Sequence, residues 1–304
     1  MQQPYTLLLF ALSILFASCS NEQQSQRAVI EAQEAKTDTA ATQTEAEALI
    51  QLYADYRGAY PGDAAFNPKY LYREATLHYR LKAYEKAAAL LEELIADYPE
   101  ASVRPQAAYM LGDIYEEKMR QLPAAYTIYQ ALQEAYPEHP QTAKAQKRLP
   151  EGVSDAAGRL EELRLSVFSD STGQINYRTA YAFINSSKFH ALMLPQEEAS
   201  PNLLYRAGEI ARAIRDYEEA LALYSHLTEQ YPEHPHASKA LFMQAFTLDD
   251  NLKQFDKARD KYESFLEAYP QDDFADDAKV LLDNLGKDDQ EIIDNLTKKQ
   301  QPSE

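Results

Sequence analysis

The sequence predicts an all-α chain, an α-solenoid of antiparallel helix pairs with about five repeats and a C-terminal capping helix. Three observations predict it. Tyr-Pro pairs stand 38 residues apart at Tyr60-Pro61, Tyr98-Pro99 and Tyr136-Pro137, and again 38 apart at Tyr231-Pro232 and Tyr269-Pro270. A fixed period in the thirties is the mark of a helical repeat array. Alanine recurs in step with it: Ala87, Ala125, Ala220 and Ala258 each lie 12 residues before the proline that closes their period. The 304 residues include 8 Gly and no Trp, and Ala, Glu and Leu are abundant. Those are strong helix formers, whereas strand-rich chains lean on Val, Ile, Thr and turn glycines.

The first element is an apolar run over residues 5–18, YTLLLFALSILFAS. A membrane-spanning helix needs about 20 apolar residues, so a run of 14 fits the apolar region of a secretory signal, assigned to 1–18. It ends at Cys19, the single cysteine of the chain. Phe16-Ala17-Ser18-Cys19 resembles the lipobox of bacterial lipoproteins, which implies removal of 1–18 and lipidation of Cys19. Several acyl chains would anchor it stably, since one alone is marginal. Ser20 after the cysteine, rather than aspartate, implies an outer-membrane lipoprotein, expected to face the periplasm. Residues 19–44 are polar and nearly free of large apolar groups, so they read as a disordered tether.

The repeats follow in two blocks. In the N-terminal block, 45–139, residues 46–60 read as an orphan second helix, followed by first helices at 70–81 and 105–117. The C-terminal block, 177–285, has first helices at 202–215 and 240–251. The second helices share one face. Three residues before each alanine comes Tyr84, Leu122, Tyr217 or Phe255; four after comes Leu91, Tyr129, Tyr224 or Tyr262; seven after comes Leu94, Leu132, Leu227 or Phe265. Spacings of 3, 4 and 7 stack side chains on one side of an α-helix. Proline ends each helix and forces its predecessor out of the α region.

The interval of 95 between Tyr136 and Tyr231 is split by Leu194-Pro195. Tyr177-x2-Ala180 opens that weaker repeat, and 140–176, with the loop-forming run Ser169-Asp170-Ser171-Thr172-Gly173, reads as an insertion or joint. Residues 274–284 form the cap, with Asp276, Asp277 and Asp283 on its outer face. Gly286 ends it, and 286–304 hold a short helix, capped by Asp288 and Glu291, and a tail.

Tyr205-x2-Gly208, then Asp216-Tyr217-Glu218-Glu219-Ala220-x3-Tyr224-x2-Leu227 and Pro232, resemble the tetratricopeptide repeat over about residues 45–285. With the lipobox, the chain resembles the tetratricopeptide repeat lipoproteins of the bacterial envelope, the BamD type of outer-membrane assembly and the YbgF type of Tol–Pal coordination. That resemblance implies a concave face, lined by the first helix of each pair, that grips an extended segment or helix of another envelope protein. By the family's motif its lining is Tyr72, Thr76 and Tyr79; Tyr109, Asp113 and Glu116; Tyr205, Glu209 and Arg212; Met243, Thr247 and Asp250. The same tyrosines would equally serve as groove walls between helices. The function implied is a lipid-anchored interaction scaffold in outer-membrane assembly or envelope maintenance. The alternative is an accessory lipoprotein that binds oligosaccharide or peptide for nutrient uptake.

Other chemistries find no support. The net charge of −18 repels phosphate backbones and anionic headgroups, which argues against nucleic acid and leaves the lipid as the membrane attachment. No Gly-rich phosphate loop, HExxH or Gly-x-Ser-x-Gly occurs, and one cysteine makes neither a disulfide nor a thiolate zinc cluster. Glu233-His234-Pro235-His236 is the nearest to a metal motif. Its echo at Glu138-His139-Pro140, on an equivalent boundary, assigns it to turn chemistry instead. No cofactor, no metal and no catalytic residue is expected.

Overall fold

The computed structural model describes the backbone of residues 5–37, 42–168, 174–287 and 291, with side chains from Asn21 onward. Segment 1–18, Cys19 and its lipidation, and the Asp288 cap therefore fall outside the described side chains. Among the described residues fourteen α-helices follow one another: α1 (Tyr5–Lys36), α2 (Gln43–Ala59), α3 (Asn67–Arg80), α4 (Tyr84–Asp97), α5 (Arg104–Asp113), α6 (Leu122–Ala135), α7 (Pro140–Gln146), α8 (Ala156–Leu165), α9 (Tyr177–Met193), α10 (Ala199–Ala213), α11 (Tyr217–Gln230), α12 (Ala237–Phe246), α13 (Phe255–Ala268) and α14 (Ala275–Asn284). Among the described residues the only extended pairing is an isolated bridge between Phe168 and Ile175. The chain divides into two compact units, residues 1–120 with 138–144, and 121–137 with 145–304.

The Tyr-Pro period works at helix ends. Tyr60, Tyr98, Tyr136, Tyr231 and Tyr269 all adopt φ between −128° and −139° with ψ between 53° and 64°. Leu194 matches them with φ −126° and ψ 57°, so Leu194-Pro195 is the missing beat. Each of the six donates its N–H to the carbonyl four residues back, at 2.8–3.1 Å, before proline stops the helix. The tyrosines also tie one period to the last: Tyr231 donates its hydroxyl to the Pro195 carbonyl at 2.9 Å, and Tyr269 to that of Pro232 at 3.1 Å. Proline supplies no N–H but its carbonyl stays available, which explains the pairing of these two residues.

A second set of marks lies in the turns between paired helices. Lys82, Arg120, Arg215 and Lys253 are left-handed, with φ of 54–65°. Helices commonly end in that conformation, and glycine adopts it without the Cβ penalty. Replacing Arg215 by glycine should therefore raise stability by about 0.5–1 kcal/mol, once the added chain entropy of glycine is set against the relieved strain. Urea unfolding followed by circular dichroism measures it, and a fall in the midpoint would contradict the reading.

The alanine column is the contact surface. Ala87, Ala125, Ala220 and Ala258 are fully buried, and so are Leu91, Tyr129, Tyr224 and Tyr262 on the same face. The second helices α4, α6, α11 and α13 have 14 residues each, whereas α9 has 17. Those three extra residues are the three by which Pro195 trails the pattern. α14 packs on α13 with Ala275 and Ala278 inward, its first turn carries Asp276 and Asp277, and Gly286 follows at φ +75°.

Four expectations change. First, residues 21–36 are not a disordered tether: they form the last turns of α1, and α1 is the missing partner of the supposedly orphan α2. Ile30 is buried against Tyr53, Tyr56 and Tyr70, and Gln23 donates to Tyr56 and Asp63 at 3.0 and 2.7 Å. One aliphatic side chain and a few polar contacts suffice because the tyrosines of α2 and α3 supply the apolar surface. Second, 140–176 is not only loop: it holds α7 and α8, the latter capped by Asp155. Third, α6 packs on α9 and clusters with the second unit, not the first. Arg159 of α8 is buried among these helices and donates to Ser154, Thr127 and Gln130 at 2.8, 3.0 and 2.6 Å.

Fourth, two first helices change pitch. α5 continues as a π-helical turn at Ile114–Lys118 and α12 at Thr247–Asn251, the closing N–H of Met119 and Leu252 reaching back five residues at 3.0 Å. A π turn rotates everything after it relative to an α-helical face.

Candidate partner-binding faces

In the first unit the expected lining residues are all half-buried. Tyr72, Thr76 and Tyr79 share one side of α3, and Tyr109 and Asp113 one side of α5, with Glu116 in its π turn. The two helices meet there. The Tyr79 hydroxyl lies 3.4 Å from the Asp113 carboxylate, and the Thr76 hydroxyl, donating to the Tyr72 carbonyl at 2.8 Å, lies 3.9 Å from the Met110 sulfur. Burial raises the Tyr72 phenol above its ordinary pKa. Lysines sit over the rings: Lys118 Nζ is 5.7 Å from the Tyr79 centroid and 5.6 Å from that of Tyr84, and Lys144 Nζ is 5.8 Å from that of Tyr109. Those are cation–π distances, so the face mixes aromatic area with positive charge in an otherwise acidic chain.

The end of α1 adds a wall that the sequence reading lacked. Glu34 accepts from the Tyr53 hydroxyl and pairs with Arg73. Glu34 and Thr37 then border a cavity of about 390 Å³ with Tyr72, Thr76 and Leu77. The signal that could have revealed it was the lone Val29-Ile30 pair, set among alanines and glutamates of good helix propensity.

In the second unit the expected set divides. Glu209, Arg212 and Met243 are half-buried and Asp250 is exposed. Glu209 pairs with Arg206 at 3.0 Å, Asp250 with Lys253 at 3.8 Å, and the Arg212 guanidinium lies 5.5 Å from the Phe246 ring centroid. Tyr205 and Thr247 do not belong to an accessible face. Tyr205 is 9% exposed, with its ring stacked on His236 at 4.3 Å and tilted against Tyr224 at 6.2 Å, so both faces are used inside the protein. Thr247 is fully buried, with its hydroxyl on the Met243 carbonyl at 2.6 Å. The π turn begins at Thr247. The groove-wall reading therefore applies to Tyr205, while the tyrosines of the first unit keep open area.

The repeated phrase LQEAYPEHP and LTEQYPEHP also finds its place. His139 Nδ1 accepts the N–H of Gln141, and His234 Nδ1 that of His236, both at 3.2 Å. Each histidine thus fastens the turn that starts the next helix. Among the described residues no group of three or more His, Cys, Asp or Glu is placed to hold a metal ion, and no helix is long and apolar enough to cross a membrane.

Pairs of antiparallel helices repeated in register, each presenting its first helix, define a helix-turn-helix repeat array. Such arrays are in general non-catalytic scaffolds for protein–protein contact. Residues 68–140 and 202–273 match the tetratricopeptide repeat family model, so both stretches carry tetratricopeptide repeats. No curated protein matches the chain. Among solved structures, the TPR2AB-domain:pHSP90-complex of yeast Sti1 is similar at 15% identity and a TM-score of 0.31, covering 88% of this chain and 98% of that one. A score that low carries no weight, and the fold assignment rests on the repeat match and the helices themselves.

Proposed function

We propose that this protein is a lipid-anchored scaffold of the bacterial cell envelope, attached to the outer membrane through Cys19 and facing the periplasm, that holds a segment of another envelope protein on the first helices of its repeats. The observation that carries the reading is the half-buried row shared by α3 and α5, with Tyr72, Thr76, Tyr79 and Tyr109 beside a cavity walled by Glu34 and Thr37. Tyrosine gives large contact area and a hydroxyl at low entropic cost, which suits the capture of an extended segment. The apolar run before Cys19 supports the anchor. Gln23, four residues past that cysteine, is already bonded to the folded body, so the lipid would hold the first helix pair close to the bilayer. A role in outer-membrane assembly or envelope maintenance, of the BamD or YbgF type, fits such a placement. The sugar-platform alternative loses one of its rings, because Tyr205 stacks internally.

A photocrosslinking residue at Tyr72 or Tyr109 in living cells should give one discrete envelope-protein adduct, whereas one at exposed Val280 on α14 should give none. Tyr72→Ala with Tyr109→Ala should reduce that adduct at least about tenfold, as loss of aromatic anchors does elsewhere. Equal adducts from all three positions would defeat the scaffold reading. Cys19→Ser should abolish palmitate labelling and release the chain from membranes; retention of label would remove the anchor from the model.

A further inference from the structure

A cavity of about 560 Å³ in the second unit is bordered by residues of α6, α8, α9 and α10. The irregular repeat explains its existence: α8 has 10 residues beside the 17 of α9, so part of α9 and α10 is left uncovered. Leu160, Phe183 and His190 line its buried part, at 1%, 1% and 5% exposure. His190 Nε2 lies 3.1 Å from the Glu197 carboxylate, and neither ring nitrogen has a hydrogen-bond partner of good geometry among the described residues. Burial holds this imidazole below its ordinary pKa, partly offset by Glu197. A neutral imidazole carries one acceptor nitrogen, and here it is buried and in want of a donor.

The rim carries the charge. Arg164 and Arg206 are already engaged, the first by Glu161 at 2.8 and 2.6 Å and the second by Glu209 at 3.0 Å. Asp155 is engaged too, accepting the Gly158 N–H at 2.7 Å. Glu134 of α6 and Glu197 remain, and among the described residues neither pairs with a lysine or arginine. Burial and the hydrogen bond with Glu197 hold the Glu134 carboxyl above the usual carboxylate range. Two acids forced together beside an imidazole acceptor and an apolar floor match one ligand chemistry.

We propose that this cavity binds an organic cation on an apolar chain, its ammonium or guanidinium between Glu134 and Glu197, its alkyl part on Leu160 and Phe183, and an N–H donated to the acceptor nitrogen of His190. An ammonium has three donors for these three acceptors. The cation comes either from a free amine or from a lysine side chain of a bound peptide. The proposal uses neither the tyrosine row of the first unit nor the lipid anchor, so it stands or falls independently of them.

The test uses the full chain in detergent, with thermal shift and calorimetry. Hexylamine should raise the melting temperature, and hexanol and hexanoate should not. Glu197→Gln and Glu134→Gln, which keep shape and remove charge, should each weaken hexylamine about tenfold while the free protein melts within a few degrees of wild type. N-acetyl-Leu-Lys-Leu amide distinguishes the sources: tighter binding than hexylamine assigns the site to a partner's lysine, weaker binding to a free amine. Should a glutamine variant fail to fold, Ala157→Leu, on the α8 wall of the cavity, must block binding by volume alone. Equal shifts with hexanol, no shift with any probe, or unchanged affinity in folded variants would overturn the proposal.

Discussion

Replacing Gly208 by alanine is expected to destabilise the second unit by up to about 2 kcal/mol, although alanine is the better helix former. A Cβ at Gly208 would stand 2.4 Å from Tyr224 Cε1 and 2.8–2.9 Å from two further ring atoms. Tyr224 is fully buried, so the ring has nowhere to swing without displacing the core. Overpacking of this kind costs about 1–3 kcal/mol, against about 1 kcal/mol regained in helix propensity. The internal control is Gly58 of α2, where an added Cβ meets nothing within 4 Å and the same change should stabilise by about 0.5 kcal/mol. Urea denaturation of both variants decides it. Adding Tyr224→Leu should make Gly208→Ala far better tolerated, because the ring that collides is gone. If Gly208→Ala stabilises the wild-type background, the close crossing of α10 and α11 has been misread.

Removing Arg57 should destabilise the first unit by about 3 kcal/mol at neutral pH. Arg57 bonds the buried Glu74 carboxylate at 2.8 Å and the more exposed Glu93 at 2.9 Å, joining α2, α3 and α4. The Glu74 side chain is 7% exposed, and taking away one partner of a buried pair leaves the other charged in a poor solvent, which costs about 3–5 kcal/mol. The pH dependence has a definite sign. Burial raises the Glu74 pKa more than Arg57 lowers it, so its contribution is full below the unfolded carboxylate range and falls as pH rises through the folded value. In Arg57→Met the opposing effect of the guanidinium disappears and the pKa rises further. The variant should then lie far below wild type at pH 7 and approach it near pH 4. Melting curves across that range test this, and a pH-independent gap would assign the loss to packing instead. Arg57→Met with Glu74→Met should regain most of the stability, because two apolar groups leave no charge buried.

Much of this architecture was legible because it repeats. A proline every 38 residues is a covalent fact about φ and a missing N–H, and five tyrosines and one leucine before it take one conformation in consequence. Alanine columns report close helix approach, and those four side chains are buried. What escaped was written once. Residues 21–36 of α1 show a single aliphatic pair, and their docking depends on tyrosines more than twenty residues further on. The π turns leave no mark in composition, and the burial of Thr247 leaves none in the helical spacing. Tyr205 and Tyr72 hold equivalent positions in the repeat, but His236 stacks on the Tyr205 ring, whereas Tyr72 has no ring stacked on it among the described residues.

The sequence by itself determined the helices of the regular repeats and the Tyr-Pro ends of their second members, since each follows from local backbone restriction and from periodic apolar faces within a few turns. Only the tertiary structure decided which tyrosines keep open area, that α6 joins the second unit, and that short α8 leaves a cavity over His190. Those outcomes depend on which side chain from a distant segment reaches a given surface first, and no spacing along the chain encodes that.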